Sequence, residues 1–265
     1  MEQGILRRPD AELRYWSFGS GPAILFAHGL GGNAMSWWQQ VPHFERRWRC
    51  ITFSHRGFAP STVANGLPDP ADYAGDLAAL ADHLGLDRFA IVAQSMGGWG
   101  AVEFALQAPH RVRALVLAAT SGTFDARAAD PTAYSAWQIW AAAERERLDA
   151  AAIHPAAGEA MARERPDLAF LYAGIDAMSR TLDKEALRKR LFAARVRPLA
   201  DAARLAMPVL VACGEMDPVF ASPVGPAFAA AFPQGRHIAF AKAGHSAYFE
   251  IAPEFNRHIE AFLAP

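Results

Sequence analysis

Phe89-Ala90-Ile91-Val92-Ala93-Gln94-Ser95-Met96-Gly97-Gly98 is the stretch that decides the reading of this chain. A short, continuously apolar run closing on a serine, then two glycines and more apolar sequence, predicts a buried strand that turns sharply into a helix. An N-cap is the ordinary role of a serine at such a junction. Met-Gly-Gly fits that role poorly, because successive glycines weaken a helix start unless close packing demands them. The alternative is a hydroxyl lifted clear of a sheet, with the free N–H groups of a helix start facing any negative charge that develops beside it. Serine is a weak nucleophile unaided, so chemistry at Ser95 calls for a histidine base and a carboxylate to orient it.

The sequence around this turn alternates strand and helix patterns. Ala23–Ala27, Cys50–Phe53, Phe89–Ala93 and Ala114–Ala118 read as strands. Asp72–Leu84 places Leu77, Leu80, Ala81 and Leu84 on one helical face, stopped by Gly85. The rhythm returns in Val209–Ala212, His237–Phe240 and a closing helix near Pro253–Leu263. Continuously apolar strands separated by helices predict an α/β fold, a mostly parallel sheet covered on both faces. Gly4–Arg8 and Glu12–Phe18 read as an antiparallel pair at its edge. Residues 124–204 break the rhythm with three or four helices and no strand, with Pro131, Pro155 and Pro166 at starts or breaks. The expected organisation is a core of residues 1–123 and 205–265 with a helical cap inserted at 124–204.

Composition narrows the function. With 265 residues, 52% hydrophobic and 20% charged, the chain can build a large core. A formal net charge of −1 with both signs interspersed gives no footprint for nucleic acid. No apolar run approaches a membrane span, and Arg7, Arg8 and Asp10 are not followed by a signal-peptide core, so a cytoplasmic protein is expected. Cys50 and Cys213 both fall in strands and read as buried, unpaired thiols. Nothing calls for a cofactor, and no histidine pair has metal-ligand spacing. Sequence does not fix the oligomeric state.

Five segments follow successive strands: Phe26-Ala27-His28-Gly29-Leu30-Gly31-Gly32, Ser54-His55-Arg56-Gly57-Phe58-Ala59-Pro60-Ser61, the Ser95 turn, Gly214-Glu215-Met216-Asp217 and Gly244-His245-Ser246. Together they resemble the α/β-hydrolase superfamily, specifically its small capped bacterial-type members, over nearly the whole chain outside the cap. The order serine, acid, histidine is that family's order. The resemblance implies Ser95 as nucleophile, His245 as base and Asp217 as the acid that orients it. It implies an oxyanion hole from the backbone N–H groups of Leu30 and Met96. Asp125 and then Glu215 rank behind Asp217 for the acid. His28 is expected to shape its turn and His55 to belong to scaffold, while His43, His83, His110, His154 and His258 need no catalytic role and His237 opens a strand away from the chemistry.

The chain departs from the family pattern at Ala93, where the first glycine of Gly-x-Ser-x-Gly is usual. It departs again at Ser54 and Ala59 in the Asp-x-Arg-Gly-x-Gly segment. Gln94 replaces an asparagine common in hydrolases that cleave carbon–carbon bonds. A serine at position 95 excludes epoxide hydrolase and haloalkane dehalogenase chemistry, which would want an aspartate there. The expected activity is hydrolysis of an ester, thioester or lactone of a small, mostly apolar molecule. Carbon–carbon hydrolysis of a ring-fission diketone, cofactor-independent oxygenation and a hydrolase-like small-molecule receptor stay open beside it. Aromatic residues of the cap are expected in part to line the pocket, and its many arginines to form a solvated surface with one of them available to an anionic substrate group.

Overall fold

Strands β1 (Glu2–Arg7), β2 (Ala11–Phe18), β3 (Ala23–Ala27), β4 (Arg49–Phe53), β5 (Thr62–Val63), β6 (Phe89–Gln94), β7 (Val112–Ala118), β8 (Val209–Gly214) and β9 (Gly235–Phe240) form one sheet in a computed structural model that describes residues 1–64 and 66–264. Their order is β1-β2-β4-β3-β6-β7-β8-β9, with β5 paired to β2. From β4 to β9 along that order every pairing is parallel, and the antiparallel pairings are those of β2 with β1, β4 and β5. The edge hairpin read from the sequence is β1–β2.

The helices are α1 (Gln40–Phe44), α2 (Tyr73–His83), α3 (Gly97–Gln107), α4 (Pro131–Ala150), α5 (Glu159–Glu164), α6 (Pro166–Ala177), α7 (Lys184–Ala193), α8 (Gly225–Ala230), α9 (Ala247–Glu250) and α10 (Ala252–Leu263). Side chains alternate along each inner strand between two apolar layers. Leu25, Ile91, Leu117 and Val211 face the layer of Leu77, Leu80, Ala101 and Phe104 from α2 and α3. Phe26, Val92, Val116 and Leu210 face that of Phe44, Phe255, Ile259 and Leu263 from α1 and α10. This double burial is why these strands are apolar throughout. Cys50 and Cys213 are buried free thiols, and among the described residues no helix is long and apolar enough to cross a membrane.

Two features place the site. From β3 the chain steps to β4 on one side and then to β6 on the other, so the order reverses beside β3. At such a switch point the loops leaving two neighbouring strands diverge and open a crevice at the carboxyl edge. Helices α4 to α7 all fall between β7 and β8. The two ends of that segment meet in a single parallel bridge, Phe124 to Arg197, and Phe124, Ala126 and Ala202 pack into the sheet's own core. Leu182, Leu187 and Leu191 join Met96, Trp99, Phe58 and Tyr73 in a third apolar cluster that ties the inserted helices to the start of α3. Proline stands first in α4 and α6, where its missing N–H costs nothing, while Pro155 sits in the turn before α5.

The loop after β4 is held by charge. Arg56 is 3% exposed and donates to both oxygens of the fully buried Asp76, each at 2.7 Å, and to Asp72 at 2.7 Å and Asp10 at 2.9 Å. Replacing Arg56 with Met leaves Asp76 buried with only Arg8, at 3.1 Å, beside it. The expected loss is about 3–5 kcal/mol, read from urea denaturation of the variant against the wild type.

Candidate active site

Ser95 follows β6 with φ of +48°, one of three non-glycine residues with positive φ among those described. Left-handed backbone at a residue with a side chain costs of order 1–3 kcal/mol and persists only where the surroundings enforce it. Here they do. The Ser95 N–H donates to the Ala118 carbonyl of β7 at 3.0 Å. A Cβ on Gly97 would run into the Ala27 carbonyl of β3, and one on Gly98 into the side chain of Thr120. The paired glycines therefore let α3 press against the sheet edge immediately after the turn, which drives the Ser95 hydroxyl up into the crevice.

His245 lies in the loop between β9 and α9, and Asp217 in the loop after β8. The His245 Nε2 is 2.9 Å from Ser95 Oγ, and its Nδ1 is 2.8 Å from Asp217 Oδ2. Asp217 is fully buried, and its other oxygen accepts from the N–H groups of Val219 at 2.7 Å and Phe220 at 2.9 Å. That leaves Oδ2 for the imidazole alone. Neither alternative acid reaches it. Asp125 is engaged by Arg127 at 2.6 and 2.7 Å, and Glu215 is exposed at the end of β8.

The N–H groups of Leu30 and Met96 make no hydrogen bond among the described residues, and both residues line the cavity over Ser95. The glycine turn that presents Leu30 is braced by His28, whose ring bonds the Gly29 carbonyl at 2.7 Å and receives the His55 N–H at 2.9 Å. Burial lowers the His28 pKa to about 4, which keeps the ring neutral and able to accept. His55 stacks against it, fully buried and with no hydrogen bond to either ring nitrogen, and its pKa is also lowered by burial.

Several residues at the site carry no signal in the sequence. Gln94 donates to the His245 carbonyl at 3.3 Å and packs against Gly29, so it locks the base's loop to the glycine turn. Glu250 accepts from Gly244 N–H at 2.8 Å and Ser246 N–H at 2.9 Å, clasping the backbone amides of the residues on either side of His245. Burial pushes its carboxyl up to about 7, against the pull of those two donors. Its only mark in the sequence is to stand five residues after the histidine.

The cavity above Ser95 measures about 700 Å³. Trp99 and, from the inserted helices, Trp137, Tyr172 and Phe192 contribute to its wall, whereas Phe170 is 83% exposed and takes no part. Arg163 and Arg165 are solvated and ion-paired, as the sequence suggests. Arg145 and Arg188 are exposed as well, yet they also line the cavity, together with Arg127, Lys184 and the half-buried Arg195. His154, for which the sequence calls for no catalytic role, lines it too.

Comparison with known proteins bears on the fold and the family. The family model for the alpha/beta hydrolase fold matches residues 22–252. A Mycobacterium tuberculosis protein bearing the name non-heme bromoperoxidase BpoC is 31% identical, over 95% of this chain and 97% of its own. The 3-oxoadipate enol-lactonase 2 of Acinetobacter baylyi is 29% identical over 81% of this chain and 79% of its own. Among solved structures, a thermophilic esterase from Thermogutta terrifontis superposes with a TM-score of 0.77 at 25% identity, covering 99% of this chain and 98% of that one. With a family match that runs from before β3 into α10, and a relative matched almost end to end, this chain belongs to the α/β-hydrolase family.

Proposed function

We propose that the chain is a serine hydrolase that opens an ester, thioester or lactone bond of a small molecule through an acyl-enzyme. The observation that carries this reading is the continuous line from Ser95 Oγ through the His245 ring to a buried Asp217 carboxylate, laid against a cavity of about 700 Å³. In this reading His245 Nε2 takes the hydroxyl proton as Ser95 attacks the carbonyl carbon. The proton then passes to the departing alcohol, thiol or ring oxygen. Water, deprotonated by the same nitrogen, attacks the acyl-serine, and the proton returns to Oγ as the acid leaves. Asp217 holds Nδ1 protonated and steadies the imidazolium. The unpartnered amides of Leu30 and Met96 receive the oxyanion, each with a stabilisation of roughly 3–4 kcal/mol. A lactone or ester substrate is in keeping with the names of the enol-lactonase and esterase relatives. A reducing, cytoplasmic setting belongs to this reading, since both cysteines are buried thiols far from their reactive range; burial pushes Cys50 up to about 12.

The inserted helices serve in this reading as a cap. Trp137 of α4 donates its indole N–H to the Asp217 carbonyl at 2.9 Å, and Tyr172 of α6 receives the Ser246 hydroxyl at 3.3 Å. Both contacts join cap helices to the loops that carry the acid and the base, so cap and triad are coupled mechanically.

A fluorophosphonate probe is expected to label Ser95 alone, with labelling lost in His245→Ala. Turnover of short acyl esters and lactones is expected to vanish in Ser95→Ala and to fall about 10⁴-fold in Asp217→Asn, where the imidazole loses the acceptor that fixes its tautomer. Labelling elsewhere, or undiminished labelling without His245, excludes the triad. Mass spectrometry of the labelled peptide gives the answer.

Glu250 adds a pH signature. The unfolded chain releases this proton near 4.5, whereas the folded protein keeps it to about 7. Between those values the unfolded state is favoured as pH rises, so this group's contribution to stability declines across the window and is constant above it. Glu250→Gln removes that decline, and the melting temperature of the variant relative to wild type is expected to rise from pH 4.5 to 7. The amide accepts only one of the two N–H groups, so kcat is expected to fall roughly tenfold with KM little changed, as a misplaced base implies. Parallel thermal melts and rate profiles across this range check both.

A further inference from the structure

Five cations line the cavity, and four are already engaged. Arg127 is held by Asp125, Lys184 by Asp176 at 2.7 Å and Arg188 by Glu185. Arg145 donates to the Pro218 carbonyl at 2.5 Å. Arg195 differs from all of them. Its guanidinium forms no hydrogen bond and no ion pair among the described residues, and its Nε is shut off from solvent with no acceptor. Arg195 is half-buried, and a guanidinium with its inner nitrogen shut from water and no acceptor on any nitrogen is retained most readily where a ligand supplies the missing charge.

Its position is built. Arg195 lies two residues beyond α7, with its guanidinium between two aromatic faces, 4.8 Å from the ring centre of Trp99 and 5.1 Å from that of Phe192. Trp99 is fixed in turn by its indole N–H, which donates to the Leu191 carbonyl at 2.8 Å. A guanidinium stacked on rings has its faces occupied, and with Nε shut in, its two terminal Nη groups are the donors left to form parallel bonds to a carboxylate. Burial also lowers its pKa somewhat from the ordinary arginine value, a mark of the same missing partner, and it remains charged at neutral pH. Ser95, Trp99 and Arg195 line the same cavity, so the cation faces the space in which a carbonyl held at the serine would lie.

We propose that Arg195 is the carboxylate-recognition residue of this cavity, so that the preferred substrate is an ester, thioester or lactone carrying a second, free carboxylate separated from the scissile carbonyl by a short chain. This rests on the serine-hydrolase reading for the bond that is cleaved, but the anion subsite can be measured without turnover.

The test uses matched pairs: p-nitrophenyl half-esters of succinate, glutarate, adipate and suberate against neutral p-nitrophenyl esters of equal chain length, and acetoxy-carboxylates against alkyl acetates. Wild type is expected to favour the anionic member in at least one set. Arg195→Gln is expected to reduce that ratio of kcat/KM on the order of 10–100-fold, mainly through KM, with Arg195→Lys intermediate. Separately, Ser95→Ala is titrated with glutarate, adipate and suberate, followed by tryptophan fluorescence and calorimetry. Saturable binding that disappears in the Ser95→Ala, Arg195→Gln double variant, and weakens with salt, supports the subsite. Equal use of charged and neutral esters in both sets, an Arg195→Gln effect identical on both, or dicarboxylate binding indifferent to Arg195 overturns it. If wild type hydrolyses no member of any pair, the hydrolase reading fails and the titration alone decides the subsite.

Discussion

The left-handed backbone at Ser95 is the constraint on which the site depends. A strand and a helix that meet at one residue must turn the chain through a conformation most side chains avoid, and the sheet holds the turn from three directions. Ala118 accepts the Ser95 N–H, Ala27 closes against Gly97, and Thr120 closes against Gly98. Because β3, β6 and β7 are adjacent and parallel, these contacts come from neighbouring strand ends and cannot relax independently. The same adjacency brings the Leu30 turn beside the serine, since β3 is the strand next to β6 at the point where the sheet order reverses.

The proposed base is positioned by hydrogen bonds from every side rather than by packing alone. Asp217 spends one oxygen on two backbone amides and reserves the other for Nδ1. Glu250 accepts from the backbone amides of the residues before and after His245, and Gln94 donates to the His245 carbonyl. Two buried carboxyl groups thus serve one loop with different electrostatics. Asp217 accepts from two amides as well as the imidazole, whereas burial dominates at Glu250 and carries its titration to about 7.

The inserted helices give the cavity a mixed character. Its wall sets Gly31, Met96, Trp99 and Trp137 beside the cations Arg127, Arg145, Lys184, Arg188 and Arg195 and the acids Asp176 and Glu185. The α4 helix has only Ala141 and Leu148 buried along its length, whereas α6 buries Leu168, Tyr172 and Ile175 and α7 buries Leu187 and Leu191.

Local sequence determined the layers of this protein. Strands buried on both faces must be apolar at every position, and helices between them must repeat at 3.6 residues, so the α/β sheet with its edge hairpin could be read directly. The serine turn was legible for the same reason: a glycine pair after a strand has few structural explanations, and the close approaches at Gly97 and Gly98 supply the one expected. Spatial convergence was a different matter. Nothing local links Gln94 to the glycine turn and the His245 carbonyl, or Arg195 to the ring of Trp99, because each contact joins segments whose meeting depends on how distant loops cross one sheet edge, whereas Glu250 reaches the Ser246 N–H across only four residues. Nor can a run of cap arginines show which of them finds a carboxylate and which is left facing the cavity. Periodicity records which face of an element is buried; only the assembled chain decides what that face meets, since burial is a property of one element and partnership a property of two.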